Sequence, residues 1–318
     1  MAWPDFFVIG TPKGGTTALH AALLGHPQLF LSPVKEPKFF LCGGSAPTRA
    51  TQRGPGDTHS AREWVWRESD YLSLFDGAPD GALAGESTPF YLYDRDAHLR
   101  LARAVPDARL IAVIRDPVDR AYSNWTHLWS DGLEPVADFT EALALEDERV
   151  AAGYAPFWHY TRMGRYGEQL QHLYEHFPRE QVLVLRYRQL AEAPVDTIAT
   201  VCRFLGVDYH ASVKSRPDNV HPYVRPGVKP AVLGRVIRAG AAVGSFAPPQ
   251  VWRQVERPLR SALHAGGGRR PALAVDQRRD ALTRFVDDIG LLEEVTGRSY
   301  SDWLADTGRG EFSQRWRG

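Results

Sequence analysis

The chain has 318 residues, of which 43% are hydrophobic and 24% charged, proportions that are typical of a globular protein. Its formal net charge at pH 7 is zero, so overall charge gives no reason to expect a nucleic-acid partner. Two cysteines, Cys42 and Cys202, are too few for a disulfide framework, which favours a reducing, cytoplasmic setting. No signal peptide is visible, and no apolar run approaches the ~18 residues that span a membrane, so we expect no integral membrane contact.

The beginning of the chain combines a strand, a glycine-rich turn and a helix start. Phe6–Ile9 is an apolar run of strand character, and a helical pattern begins at Thr16. The backbone N–H groups of such a turn converge and the helix N-terminus adds unpaired donors, which is typical of a phosphate site. A glycine-rich turn without a ligand is the alternative. The residues predicted to contact phosphate are Pro12, Lys13, Gly14, Gly15, Thr16 and Thr17.

The position of the lysine distinguishes this turn from that of a nucleotide kinase. A kinase P-loop reads G-x-x-x-x-G-K-[ST], with the lysine after the last glycine and a hydroxyl that binds Mg²⁺. In this chain Lys13 precedes the glycine pair, in the order Gly-Thr-Pro-Lys-Gly-Gly-Thr-Thr. This order disfavours a kinase of a small hydroxylated substrate, which stays the enzymatic alternative.

The rest of the chain alternates short apolar strands with helices. We predict strands at 29–31, 83–85, 109–114 and 181–185, and helices at 61–75, 94–105, 118–130, 138–152, 164–177 and 194–205. Residues 43–60 are polar and rich in Gly, Ser, Thr and Pro, which predicts a long mobile or functional loop. The alternation predicts an α/β fold with a parallel sheet between helices and a helical C-terminal part. No linker is visible, so we expect a single domain over residues 1–318.

Two polar residues follow the most apolar strand, 109–114. Arg115 lies where the carboxyl end of a strand meets the ligand crevice of a doubly wound sheet, and Ser123 lies about two turns into the next helix. A guanidinium and a hydroxyl suit a terminal phosphate. The alternative is a surface arginine paired with Asp116 or Asp119. A kinase would need an acidic Mg²⁺ ligand at this strand end, where the chain has an arginine.

Together these motifs resemble those of sulfotransferases that use 3′-phosphoadenosine-5′-phosphosulfate (PAPS), of the bacterial and heparan types. The resemblance covers roughly residues 5 to 206. It implies a three-layer, P-loop-like sandwich with a central, mainly parallel sheet, a 5′-phosphate loop at Lys13, and a 3′-phosphate site at Arg115 and Ser123. The segments that carry it are Lys13-Gly-Gly-Thr-Thr17, Glu36-Pro-Lys-Phe-Phe40, Glu86-Ser-Thr-Pro-Phe-Tyr91, Arg115-Asp-Pro117, Gly164-Arg-Tyr166 and Phe204-Leu-Gly206.

Glu36 is the candidate catalytic base. Sulfuryl transfer to an alcohol needs a group that accepts the hydroxyl proton, and a carboxylate near the donor serves this purpose. Glu36-Pro-Lys-Phe-Phe40 resembles the Glu-x-x-Phe-Phe segment that carries the base in heparan-type enzymes. The alternative is an exposed glutamate in a lysine-rich turn, which is the commoner fate of such a residue.

The chain also departs from the heparan-type pattern. Ser87 replaces a lysine that lies near the acceptor in those enzymes, and their C-terminal cysteine pair and Lys-Gly-Arg loop are missing. We expect Arg225, in Arg-Pro-Gly, to close over the adenosine phosphate instead. His20, His26, His159 and His172 lack metal-ligand spacing, so we expect structural roles for them and no metal.

The predicted function is PAPS-dependent O-sulfation of a small-molecule, sugar or natural-product hydroxyl. Lys13 would stabilise charge on the bridging oxygen as the S–O bond breaks, and Glu36 would deprotonate the acceptor for in-line attack. The alternatives are the kinase and a nucleotide-binding module without catalysis. Retention of both a candidate base and a donor site disfavours the latter.

Overall fold

A computed structural model describes residues 3–45, 64–210, 223–244 and 268–305, together with 259, 261, 263 and 264. Most of the predicted loop at 43–60 and the start of the predicted helix at 61 therefore lie outside the described residues. The strands are β1 (Phe6–Gly10), β2 (Leu29–Leu31), β3 (Leu83–Ser87), β4 (Arg109–Ile114) and β5 (Val182–Arg186). The helices are α1 (Thr16–Leu23), α2 (Glu68–Leu72), α3 (Arg95–Ala104), α4 (Pro117–Ser130), α5 (Phe139–Ala144), α6 (Glu146–Ala151), α7 (Tyr166–Tyr174), α8 (Tyr187–Glu192), α9 (Pro194–Leu205), α10 (Val228–Gly244), α11 (Val275–Leu282), α12 (Val286–Thr296) and α13 (Ser301–Leu304).

The five strands form one parallel sheet in the order β2-β3-β1-β4-β5. Central strand β1 pairs with both neighbours, and Val8 lies beside Ser87 on one side and Ile111 on the other. The strands are parallel, so the segments that follow β1, β3 and β4 all leave from the same edge. This edge carries the phosphate-loop sequence, Glu86-Ser-Thr-Pro and Arg115, as ligand sites in open α/β sheets require.

Helices cover both faces of the sheet, which gives the three predicted layers. The side chains of β1 alternate: Phe7 and Ile9 belong to one apolar core, and Phe6 and Val8 to the other. Helices α3, α4, α7 and α12 contribute to the first core, while α1, α8 and α9 contribute to the second. The P-loop-like α/β prediction is therefore confirmed.

Two predicted helices differ from the structure. Of the helix expected at 61–75, the described residues 64–75 form only α2 and a 3₁₀ turn at Ser73–Phe75, because Val65 donates its backbone N–H to Pro37 O (3.0 Å) rather than joining a helix. The helix expected at 138–152 breaks into α5 and α6 at Leu145, whose ψ of −1° interrupts the helical path.

The C-terminal part is helical where the structure describes it. Asp288 at the start of α12 accepts the backbone N–H groups of Gly167 (2.9 Å) and Glu168 (3.0 Å), which fixes α12 on α7. A single bridge between Tyr223 and Gly268 brings the segment before α11 back toward the strand edge. Among the helices of these described ranges, none has the length and apolarity needed to cross a bilayer.

Candidate active site

The turn after β1 depends on glycine. Gly10 has φ +133°, and a Cβ there would lie 2.2 Å from Val113 O on the neighbouring strand. Gly15 has φ +96°, and a Cβ there would lie 2.6 Å from Cδ2 of Tyr187. Gly14 N donates to Thr11 O (2.9 Å), which closes the turn. Side chains at Gly10 and Gly15 would therefore prevent this backbone path.

The N-terminus of α1 is set up to receive an anion. Gly15 occupies the N-cap position and supplies no side-chain cap, so the first backbone N–H groups of α1 point toward the turn. Thr16 is buried and Thr17 is exposed, while Lys13, with φ 69°, is half-buried. Pro12 is buried beneath the turn. Residues 12–17 thus form a compact cradle at the N-terminus of α1.

Arg115 lies directly beside this cradle. Its guanidinium donates to Lys13 O (3.3 Å) and lies 4.6 Å from the ring centroid of Tyr187, the residue that also packs against Gly15. The alternative of a surface arginine paired with Asp116 or Asp119 is therefore wrong. Within the described residues Arg115 forms no ion pair.

Arg278 takes the two carboxylates instead. This buried arginine of α11 lies 2.5 Å from Asp116 Oδ2 and 2.8 Å from Asp119 Oδ1. Asp116 also caps α4 by accepting the N–H groups of Val118 and Asp119 (both 3.0 Å). The acidic residues at this strand end therefore pair with Arg278, and the guanidinium of Arg115 can bind an anionic ligand.

A second arginine, which sequence analysis missed, lies near Arg115. Arg270 stacks 4.6 Å from the ring centroid of Tyr122, and burial together with the nearby Arg115 lowers its pKa to about 10. Among the described residues Arg270 forms no ion pair. The two guanidiniums repel one another, and the charge of Asp119 opposes this effect only in part, so the pair favours an anion between them. The pair is therefore a candidate phosphate site.

Ser123 and Arg225 lie in different surroundings. Ser123 follows Tyr122 on α4 and is half-buried, so it lies one residue from the ring that supports Arg270. Arg225 is exposed, directly after Val224, whose carbonyl accepts the indole N–H of Trp129 (2.8 Å). No contact of Arg225 with the cradle is recorded among the described residues. In the described part of the C-terminal region, Arg270 lies beside Arg115, whereas Arg225 does not contact it.

Glu36 lies next to α1, not in an exposed turn. It is 2% exposed, and its Oε1 lies 2.8 Å from Nζ of Lys35. The same ammonium donates to Thr17 Oγ1 (3.0 Å), so Lys35 joins the candidate base to the phosphate cradle. Glu36 has φ 63°, and its N–H donates to Ser87 O (3.1 Å). Lys38 instead has its ammonium 4.9 Å from the ring centroid of Trp64.

A buried carboxylate supports the segment after Glu36. Glu86 is fully buried and accepts hydrogen bonds from the hydroxyls of Tyr71 (3.0 Å), Tyr91 (2.8 Å) and Thr88 (2.6 Å). Burial, and to a smaller degree the charge of Glu36, raise the pKa of Glu86 to about 7. This role was not predicted, because the tyrosine at 71 comes from a distant helix.

The two tyrosines hold the 3₁₀ turn Phe39–Leu41. Tyr91 Oη accepts the backbone N–H of Phe40 (3.3 Å), and the Tyr71 ring stacks on Phe39 with centroids 4.3 Å apart. The turn begins three residues after Glu36. Glu86 therefore restrains the backbone that follows Glu36 indirectly, through the hydroxyl groups of Tyr71 and Tyr91.

The histidines near the site differ in what they can do. His20 on α1 shares a 2.9 Å hydrogen bond between its Nδ1 and Ser87 Oγ, and burial, with Lys35, lowers its pKa to about 4. It is therefore neutral at pH 7. Both ring nitrogens of His159 are engaged, Nδ1 with the Tyr93 hydroxyl (2.6 Å) and Nε2 with Tyr154 O (3.1 Å). His159 is held as a structural residue.

A polar cleft of about 780 Å³ opens between the starts of α3 and α7. Tyr93 and Asp94 of the cleft belong to the segment that follows β3, which leaves the sheet at the same edge as the phosphate cradle. Among the residues that line it are Tyr93, Arg95, Glu146, Arg162, Glu168 and Arg284. The nearby aromatic residues Trp158, Tyr160 and Tyr166 are at most 1% exposed and belong to the core, and Tyr154 is half-buried against that core.

Comparisons with known proteins agree with this arrangement. Residues 4–211 match the model of the sulfotransferase family. Over 204 residues the chain is 31% identical to heparan sulfate glucosamine 3-O-sulfotransferase 3B1 of Homo sapiens, an alignment that covers 64% of this chain and 46% of the relative. Over 217 residues it is 29% identical to bifunctional heparan sulfate N-deacetylase/N-sulfotransferase 3 of Mus musculus, covering 65% and 23%.

A solved structure extends the likeness to nearly the whole chain. The crystal structure of a sulfotransferase from Alicyclobacillus acidocaldarius matches with a TM-score of 0.71 and 29% identity, and covers 96% of this chain and 100% of that one. By contrast, the chain spans about half the length of the curated 3-O-sulfotransferases it matches. Family match, sequence relatives and fold agree: this chain belongs to the sulfotransferase family.

Proposed function

We propose that the protein transfers a sulfuryl group from PAPS to a hydroxyl of a carbohydrate or small-molecule acceptor. The single observation that carries this proposal is the pair Arg115 and Arg270 beside a helix N-terminus that lacks a side-chain cap. PAPS has two separated phosphate groups, at the 5′ and 3′ positions. The cradle at residues 12–17 suits the first, and the arginine pair with Ser123 suits the second.

The transfer uses a base, a cation and in-line attack. The acceptor oxygen forms a bond to sulfur while the bond between sulfur and the bridging oxygen of the 5′-phosphate breaks. The acceptor proton passes to the Glu36 carboxylate, and negative charge develops on the bridging oxygen of the leaving bisphosphate. Lys13 at the cradle and Lys35, bonded to Glu36 and Thr17, supply positive charge at this point.

The polar cleft between α3 and α7 is the proposed acceptor site. Its volume, about 780 Å³, lies within the range of about 300–1,000 Å³ that is usual for ligand pockets. Arginines and carboxylates both line it, so a hydroxylated acceptor with mixed or no charge suits it better than a uniformly anionic polymer. Ser87 supports the same conclusion. Where heparan-type enzymes have a lysine, this chain has a serine bonded to the neutral His20, so this position offers no positive charge to an anionic acceptor.

The structure of the strand end also disfavours the kinase alternative. A kinase needs a carboxylate there to hold Mg²⁺, whereas Asp116 and Asp119 are both bonded to Arg278. The decisive test uses radiolabelled PAPS with a panel of hydroxylated acceptors, together with a thermal-shift series. We expect label transfer, and stabilisation by 3′,5′-bisphosphoadenosine well above that by ADP or ATP with Mg²⁺. Stronger stabilisation by ATP with Mg²⁺, with no label transfer, would overturn the proposal.

A further inference from the structure

Three potential metal ligands lie together at the end of α7. His172 is in the last turn, Glu175 follows the helix as its C-cap residue, and His176 comes next. Positions i, i+3 and i+4 share one face of a helical segment. One ligand atom from each of the three side chains lies within 4.8 Å of the other two. The histidines weighed from the sequence did not include His176, so the spacing of four residues between His172 and His176 was not seen.

A fourth histidine orients His172. His98 Nε2 lies 3.1 Å from Leu92 O, and because a carbonyl only accepts, this nitrogen carries a hydrogen. In the neutral ring of His98 the other nitrogen, Nδ1, therefore has a lone pair. That Nδ1 lies 2.9 Å from His172 Nδ1, which must therefore donate.

These hydrogen bonds decide which nitrogen of His172 is available to bind a metal ion. With the hydrogen on Nδ1, the neutral imidazole of His172 keeps its lone pair on Nε2. Metal-bound histidines are commonly fixed in this way, by an acceptor for the other ring nitrogen. His98 therefore has the position of an orienting partner, and it is itself anchored to the backbone at Leu92.

The two other groups of the cluster also suit a metal ion. The buried Nε2 of His176 has no hydrogen-bond partner among the described residues. Exposed Glu175 adds an anionic oxygen.

We propose that His172, Glu175 and His176 bind a divalent transition-metal ion of the zinc type. Two imidazoles and one carboxylate are ligands that Zn²⁺ takes, with water completing the tetrahedron. Bonds of about 2.0–2.1 Å place such ligand atoms about 3.4 Å apart. Rotation of the exposed Glu175 side chain and of the His176 ring brings atoms that lie within 4.8 Å to this spacing, while His172 keeps its hydrogen bond to His98.

The cluster is distinct from the phosphate cradle. Tyr166 begins α7 at the strand edge of the cradle, and His172 to His176 lie about 9–15 Å farther along, at a rise of 1.5 Å per residue. A bound ion would join the end of α7, through His172 and His98, to the backbone at Leu92. Its expected effect is on stability.

The test is zinc binding by the full chain. Protein freed of metal with a chelator is titrated with ZnCl₂ in a calorimeter at pH 7.5, and the melting temperature is measured in parallel. We expect one ion per chain and a raised melting temperature. His172→Ala and His176→Gln should each weaken binding by about 100-fold, and Glu175→Gln by about tenfold. If the metal-free variants melt at the same temperature as the metal-free wild type, their weaker zinc binding is not caused by misfolding.

Two matched variants serve as controls. Glu180→Gln makes the same charge change as Glu175→Gln four residues beyond His176, and His210→Ala removes a histidine far from the cluster in the chain. Both should bind zinc as the wild type does. Absence of binding at 100-fold excess of zinc over protein, or equal binding by all variants, would overturn the proposal. Neither outcome depends on sulfuryl transfer.

Discussion

Nζ of Lys35 lies 2.8 Å from Oε1 of Glu36, and the same ammonium donates to the hydroxyl of Thr17 at 3.0 Å. One side chain thus connects the candidate base to the helix N-terminus that faces the donor. The geometry has a chemical consequence. The ammonium pairs with the carboxylate that is to accept the proton, and it places positive charge where the leaving group develops negative charge.

Glu36→Gln removes the basicity of residue 36 and keeps its shape. Proton transfer to a positioned base contributes about 10²–10⁴-fold, so we expect kcat to fall by about this factor. Binding of 3′,5′-bisphosphoadenosine, measured by calorimetry, should remain. His20→Gln is the informative comparison, because His20 lies near the same carboxylate with its pKa lowered to about 4. If His20→Gln abolishes turnover and Glu36→Gln spares it, the base is His20.

Lys13→Ala should affect turnover more than donor binding. The charge of Lys13 matters most when the bridging oxygen becomes anionic, so its loss should lower kcat by about 10²–10³-fold, as for the loss of other groups that stabilise a developing oxyanion. The KM for PAPS should change far less. Steady-state kinetics with PAPS as the varied substrate separates the two constants. A raised KM with unchanged kcat would show that Lys13 only holds the ground state.

Arg270→Ala should instead weaken donor binding. We propose that the guanidiniums of Arg115 and Arg270 bind the 3′-phosphate. Since a hydrogen bond to a charged group contributes about 1.5–3 kcal/mol, its loss should raise the Kd about 10–100-fold. Calorimetry should show this loss for 3′,5′-bisphosphoadenosine and little loss for 5′-AMP, which lacks the 3′-phosphate.

Neighbouring arginines provide the controls for that experiment. Arg269→Ala removes an exposed guanidinium one residue away, and it should leave the affinity near the wild-type value. Arg225→Ala tests the arginine that the sequence suggested. A large loss from Arg225→Ala with none from Arg270→Ala would return the 3′-phosphate contact to Arg225.

The parts of the site that sequence predicted are those encoded locally. The turn around Lys13, the position of Arg115 after β4 and the Glu36 segment each depend on residues adjacent in the chain, and the parallel sheet brings them to one edge. Arg270 could not be found in this way, because its partner Tyr122 lies on a helix far earlier in the chain. The single domain over residues 1–318 and the cytoplasmic setting stay predictions.

The Glu86 cluster shows the same limit in its electrostatics. Thr88 lies two residues from Glu86 in the sequence, but Tyr71 reaches the carboxylate from α2. Sequence gives no measure of how deeply such a carboxylate is buried. Burial is the main cause that raises the pKa of Glu86 to about 7, so this property appears only in the folded structure.

Glu86→Gln should reveal that pKa through the pH dependence of stability. The carboxyl has a pKa of about 7 in the folded protein and an ordinary value of 4.5 when unfolded. Between these values the folded protein holds a proton that the unfolded chain releases. The wild type should therefore lose about 3 kcal/mol in free energy of unfolding as pH rises from about 4.5 to 7, and no more above it. The glutamine variant lacks this contribution.

Asp116 and Asp288, whose pKa values are also raised to about 6, titrate alike in both proteins, so their contributions cancel when the two proteins are compared. Urea unfolding of both proteins at pH 5 and pH 8 measures the effect, and an equal change with pH in the two would show that Glu86 is ionised throughout.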